Sequence, residues 1–488
     1  MNKLKRAFSL AMLVTAVALP LSFGDARAQV SPSKKVSITI YNQNFGLVKD
    51  VRDITLKQGV NLVRFEDVAA SIDPTSVNFT SLSAPNSVAV REQNYQFDLM
   101  DQNTILSRSV GKTVKFRQYL GSGTVHEITG TLLSSPLVTV SDSNGNVQQQ
   151  GQSIVVRTKD GVVVGPSGEL ELTELPEGLV SKPSLLWKLE SDKAGVQESE
   201  ISYQTQGLNW KCDYVAVDNA DDTACDITSW VTLDNKSGAT YKDAVLKLMA
   251  GDVHKVQEAT AEIAPRLAGG MVADAAAPQF QEQSFAEYHL YSLKGATDLH
   301  DNETKQLTLF NASSVPVKKL FVFDSSNGVY PYGGGGDSSS QKVNVKLEMM
   351  NSAANSLGMP MPKGKVRVYK KDQDGALQFV GEDLIDHTPK DEKVRVYIGD
   401  AFDIVGERKQ TDQQQPSSRS QRSSYSITLR NHKDSAVTVT CVEHAYGTWK
   451  IITSSQDYTK KDAQTFEFAV KVPANGEATV TYTIETRW

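Results

Sequence analysis

After its first 28 residues the sequence has no apolar run approaching 18 residues, no excess of positive charge and only three cysteines. The first absence excludes a helix that crosses a membrane, which needs about 20 apolar residues. The second excludes a general nucleic-acid binder, which needs a basic face: Asp plus Glu is 57 against 51 Lys plus Arg, a formal charge of −6. Catalytic signatures are missing as well. There is no HExxH, CxxC, GxSxG or phosphate-binding loop, and the Gly333–Gly336 run lacks the flanking strand and helix such a loop requires. The seven histidines are scattered, with no pair at a metal-ligand spacing. With 17 Pro, 33 Gly and 22% charged residues, the composition excludes collagen, coiled coil and global disorder.

What is present begins with an N-terminus built for export. Lys3, Lys5 and Arg6 precede a mainly apolar stretch from Leu10 to Leu21, and Ala26-Arg27-Ala28 is a small-x-small cleavage site. This layout predicts a secretory signal over residues 1–28, with Gln29 starting a more acidic mature chain in the periplasm or outside the cell. No integral membrane span is expected once the signal is removed.

Strict alternation dominates the rest. Val36, Ile38 and Ile40; Val343, Val345 and Leu347; Phe466, Phe468, Val470 and Val472; and Ala478, Val480, Tyr482 and Ile484 each alternate with polar neighbours. Such runs are half-buried antiparallel strands. Asn144-Gly145, Asp160-Gly161, Asp374-Gly375 and Asn475-Gly476 supply hairpin turns between them. The expected fold is mainly β: antiparallel β-sandwich domains with an inserted small β-barrel and little helix. Residues 29–100 and 184–254 are expected to share a first sandwich. Residues 101–183, with five short strands and a helical turn or two at 101–108, are the inserted barrel. Residues 255–284 are expected to be a mobile insertion and 285–488 a second sandwich. Residues 330–341 and 410–422 read as exposed loops. An outer-membrane barrel is disfavoured, because the other alternating runs are short and carry charges.

Three features invite chemistry. Cys212 and Cys225 flank the turn-like 218–222 segment and are candidates to face each other across a hairpin, whereas Cys441 reads as a small core residue. Glu382, Asp386, His387, Asp391 and Glu392 place carboxylates beside a histidine, the raw material of acid–base or metal chemistry, although Pro389 and the charge density also suit a turn. Asp372-Gln373-Asp374-Gly375 opens like a calcium loop but lacks the downstream ligands, and reads as a hairpin turn. Trp210 and Trp230, on successive strands, are expected to share a core rather than line a sugar-binding face.

From Ile201 onward the sequence resembles the domain of unknown function 4139 family, found in exported bacterial proteins. The resemblance is carried by Tyr203–Val217 (YQTQGLNWKCDYVAV), Ser229–Val253, Phe285–Leu293 (FAEYHLYSL), Glu303–Val317 and Ile385–Gln410 (IDHTPKDEKVRVYIGDAFDIVGERKQ). It implies a β-rich fold and no activity, so no catalytic residues carry over. It also implies small residues at positions 212 and 225, and their joint replacement by Cys fits a bridge. The expectation is an exported envelope or surface protein with a binding or structural role. It takes no cofactor or metal, and its partner is a protein or glycan of the cell envelope. The rival is a periplasmic hydrolase or glycan-binding protein using Asp386 and His387.

Overall fold

The computed structural model describes residues 28–96, 102–120, 124–141, 147–176, 179, 182–254, 279–324 and 340–488. Residues 1–27 of the expected signal, residues 255–278 of the expected insertion and residues 325–339 of the glycine-rich loop lie outside the described residues. The protein is mainly β, and its one α-helix among the described residues, Gln102–Arg108, stands where a helical turn or two was expected. The chain divides into two compact units, Met1–Lys34, Asp50–Val68 and Asn78–Ile201 in one, and Lys35–Lys49, Ala69–Val77 and Ser202–Trp488 in the other.

In the first unit, Gly59–Glu66, Ser184–Ser191 and Val88–Gln96 form an antiparallel sheet. Its buried face carries Val63, Phe65, Leu185, Trp187 and Leu189. The Trp187 ring packs on Phe65 and Phe79 at 5.7 and 5.6 Å, and its Nε1–H donates to Gln93 Oε1 at 3.0 Å, so the buried indole is satisfied. The same unit contains the insertion, which differs from the expected barrel. Its sheet runs Val162–Val164, Val155–Arg157, Thr124–Leu132, Thr113–Leu120, Glu169–Leu172 and does not close. Leu137–Ser141 and Val147–Gly151, assigned to the barrel from sequence, pair only with each other. The 162–164 and 169–172 strands take the outer places instead. Leu106 from the helix completes the small core with Val114, Phe116, Leu132 and Val156.

The second unit begins with Phe280–Phe285, Tyr288–Leu299, Tyr241–Ala250 and Lys35–Tyr41 side by side, the last pair parallel. A second, longer succession runs Leu377–Ile385, Gly364–Lys371, Leu208–Asp218, Ala224–Asn235 and Glu303–Asp324. It continues through Ser340–Met350, Lys393–Ser417, Ser420–Asn431, Gly476–Arg487 and Thr448–Ser454. Residues 410–417, read from sequence as loop, extend a strand that turns at 418–419 and returns. Their Gln-, Asp- and Ser-rich composition reflects exposure on both faces and not an absence of pairing. Val437–His444 and Thr465–Val472 form a further hairpin. Its Val439, Cys441, Phe466 and Phe468 share one core with Ile427, Leu429, Val480 and Tyr482.

Residues 202–254 were expected with the N-terminal sandwich. Pairing places their first two strands elsewhere: Leu208–Asp218 lies parallel to Gly364–Lys371, and Ala224–Asn235 lies antiparallel to Glu303–Asp324. Both partners lie far downstream, so local alternation does not reveal them. At Gly364 a Cβ would stand 2.1 Å from the Cys212 carbonyl oxygen, so this close parallel approach needs glycine. The two tryptophans do not share a core either. Trp230 pairs with Asp213, an odd position opposite in facing to Trp210, so the rings point to opposite sides of the sheet.

Candidate functional site

Four of the five stretches that carry the family resemblance meet in the second unit around the 386–392 turn. Trp210 Nε1–H donates to the Met249 carbonyl at 3.1 Å, and its ring lies 6.3 Å from that of Tyr291. The hydroxyls of Tyr214 and Tyr291 donate to the carbonyls of Pro362 and Pro360, at 2.6 and 2.8 Å. Met361 exchanges backbone hydrogen bonds with Thr388. Lys363 Nζ meets Asp252 at 3.0 Å, and its backbone N–H donates to His387 Nδ1 at 3.2 Å. Strands far apart in sequence therefore deliver two histidines, two acids and a lysine to one neighbourhood, with His289 Nδ1 held 2.8 Å from Glu282.

Of the five residues singled out from sequence, the structure turns only His387 inward. Glu382 sits on the Leu377–Ile385 strand, which runs longer than expected, and pairs with Lys365 at 3.1 Å and Arg367 at 3.4 Å. Asp386 is exposed, and its carbonyl accepts from Thr388 Oγ1. Asp391 adopts a left-handed φ of 64°. It and Glu392 are fastened by backbone hydrogen bonds to Asn351. Among the described residues no group of three or more His, Cys, Asp and Glu side chains is arranged to hold a metal.

His387 is half-buried, and burial first and the Lys363 charge second push its pKa down. Its Nδ1 accepts the Lys363 N–H, so the neutral ring carries its proton on Nε2, which lies 3.5 Å from the Asn42 amide. Asn42 Oδ1 is buried with no partner. With that amide turned over, Oδ1 in place of Nδ2 would face the Nε2–H, which assigns the tautomer and the amide orientation together. Both ring nitrogens are then engaged.

The anchor of this turn is Asn351, which sequence reading missed. It is fully buried. Its Nδ2 donates to the carbonyls of Met359 and Pro389 at 2.9 Å each, and its Oδ1 accepts the Gly358 N–H at 3.0 Å. Nothing in the surrounding Met349-Met350-Asn351-Ser352 text marks it, because its partners come from two separate loops.

A second cluster was also missed. Asp218 ends a strand and is 4% exposed, with its Oδ1 unpartnered. Asp222, in the turn beyond it with φ 55°, contacts Lys370 and lies 3.0 Å from Lys319. Burial, then the hydrogen bond and charge of Asp222, raise Asp218 to about 7. Burial works to raise Asp222 too, but hydrogen bonds from Lys370, Asp218 and Lys319 outweigh it and hold the carboxyl at about 2. The two carboxyls, with Lys370 and Lys319 on Asp222, tie three strands at one end of the sheet.

The Cys212–Cys225 bridge expected from sequence is not formed; all three thiols are free and buried. Cys212 pairs with Val231 and Cys225 with Asp218, six positions along the same hairpin. At about 3.3 Å per residue this puts them roughly 20 Å apart, far beyond disulfide reach. Burial pushes the Cys212 thiol up to about 11 and the Cys225 thiol up to about 12, the opposite of what a nucleophile needs.

Residues 199–488 match the family described as Domain of unknown function (DUF4139). The chain belongs to this family. No curated protein matches it. The match starts just before Leu208–Asp218 and ends with the last strand, so it takes in the whole neighbourhood of His387, apart from Asn42, and the Asp218–Asp222 pair.

Proposed function

We propose that the chain is an exported, non-catalytic protein of the cell envelope or surface that acts by binding a protein or glycan partner there. The export half of this reading rests on Lys3, Lys5 and Arg6, the apolar stretch and the Ala26-Arg27-Ala28 site. Mass spectrometry of the exported protein is expected to find Gln29 as its first residue; recovery of peptides containing Lys3 would refute it.

The binding half rests chiefly on His387. A general base or metal ligand needs a free lone pair directed at a reactant. Here Nδ1 accepts a backbone N–H and Nε2 faces Asn42, while Glu382 is neutralised by Lys365 and Arg367. Replacing both Asp386 and His387 by Ala is expected to lower stability by about 1 kcal/mol, the worth of a hydrogen bond lost at the turn. Capture of the envelope partner should then fall only in step with unfolding. Capture abolished at unchanged melting temperature, or a stoichiometric transition metal lost with His387, would favour the rival hydrolase reading.

A further inference from the structure

The hairpin of Lys393–Ser417 and Ser420–Asn431 ends beside a cavity of about 570 Å3 lined in part by Ser417, Arg419, Arg422, Glu485, Arg487 and Trp488. Register explains why cations gather there. Arg422 stands opposite Glu485 on one side, and Lys450 stands opposite it on the other. Residues directly opposite one another project to the same face, so these three form one row. Arg487 lies two positions along on that face, between Ser420 and Thr448. Glu485 is 12% exposed and accepts from Arg422 Nη2 at 2.8 Å and from Arg487 Nη2 and Nε at 2.7 and 3.0 Å. One carboxylate thus orients two guanidinium forks, each of which has five donors and keeps most of them unengaged.

Two further observations point to a ligand. Arg419, in the turn itself, makes no side-chain hydrogen bond or ion pair among the described residues. Trp488 is 64% exposed and lines the cavity, and its backbone N–H donates to the Arg419 carbonyl at 3.2 Å, which holds the two backbones together. Of the three arginines that line the cavity, two pair with the one carboxylate, Glu485, and the third, Arg419, is left over.

We propose that this cavity binds a sugar ring bearing an oxyanion, either a carboxylate or a phosphate. The forks of Arg419 and Arg487 take the oxyanion bidentately, and Trp488 stacks on the apolar face of the ring. A neutral glycan would leave Arg419 unanswered, and a bare anion would leave the indole unanswered. The volume lies within the range of about 300–1,000 Å3 typical of small-molecule sites. The proposal rests on the binding reading above and names a ligand class and a surface for it.

Isothermal titration of the purified protein with trigalacturonic acid, glucosamine 1-phosphate, inorganic phosphate and maltotriose tests it. At least one of the two anionic sugars is expected to bind; the tighter of the two identifies the carboxylate or the phosphate as the natural group. Inorganic phosphate should bind at least tenfold more weakly and maltotriose not at all, and 0.5 M salt should weaken the sugar binding. Arg419→Glu should reduce affinity at least tenfold at an unchanged melting temperature. Trp488→Ala, a milder change, should remove the preference for sugar over phosphate. Equal binding of maltotriose, no binding of either anionic sugar, or undiminished affinity in the charge-reversed protein overturns the proposal. Envelope capture separates the two readings: a partner still captured while no probe binds defeats this cavity alone, and no partner captured by the wild-type protein defeats the binding reading.

Discussion

Two acidic turns of the second unit, 386–392 and 219–223, have similar compositions and different uses of their polar groups. In the first, the chain is held by a buried amide: Asn351 serves three backbone groups from two loops, and His387 has a partner for each nitrogen. The carboxylates that give this turn its chemical look are exposed or face lysine and arginine. In the second turn the loop itself is ordinary, closed by Asn219 Oδ1 accepting the Thr223 N–H at 2.9 Å. The unusual group is Asp218 just before it, buried with an unpartnered oxygen and pushed up to about 7 by that burial first and by the neighbouring Asp222 second. A dense polar sequence marks where water is, whereas a perturbed group arises where a single acid is carried under the sheet by the strand that bears it.

The contrast is broken most severely at Asn351. Its replacement by Ala leaves two carbonyls and one N–H without partners in a buried place, an expected loss of about 3 kcal/mol. Urea denaturation measures this; a loss under about 1 kcal/mol would mean that the turn is held by something else.

Asp218→Asn sharpens the contrast through pH. A carboxyl held at about 7 when folded binds its proton more tightly than in the unfolded chain. Its contribution is therefore present at low pH and is lost as pH rises from the ordinary carboxyl range through about 7. Asp222 has the opposite sign: held at about 2, its contribution is present above the ordinary range and is lost as pH falls toward 2. Wild-type stability should decline between pH 5 and 8 by an amount on the order of 1–2 kcal/mol from this pair. The Asn variant, a mimic of the protonated form, should flatten that decline. A decline of the same size in both proteins would remove the raised Asp218 carboxyl from the account.

The smallest effect is expected at the cysteines. A reductant should leave the melting temperature unchanged, and Cys212, Cys225 and Cys441 should all react with a thiol reagent once urea unfolds the chain but hardly before. A peptide joining Cys212 to Cys225 would contradict the register.

Much of the fold was legible because period-two alternation is local: the strands at Val36–Ile40, Val343–Leu347 and Ala478–Ile484 stand where their side chains place them. What alternation cannot convey is the identity of a neighbour. The Val162–Val164 and Glu169–Leu172 strands were passed over because three or four residues are too few to show a period, and the expected barrel was filled with the wrong hairpin. The bridge between Cys212 and Cys225 failed on register alone, since a shared face along one hairpin says nothing of distance along it. At the candidate site, His387 and Glu382 were visible as residues, but Asn42, Lys363 and Asn351 were not, because they reach the turn through tertiary contacts.

The parallel pairings carry a consequence for how the chain comes to be folded. Lys35–Tyr41 lies against Tyr241–Ala250, and Leu208–Asp218 lies against Gly364–Lys371. Synthesis proceeds from the N-terminus, so each earlier strand must wait for a partner made long after it. During that wait its open edge and apolar residues such as Ile38, Ile40 and Tyr214 have nothing to cover them. Contacts this distant along the chain form slowly, and an intermediate with uncovered edges is prone to aggregate. The architecture therefore implies a chain that benefits from being held unfolded until its last third is available.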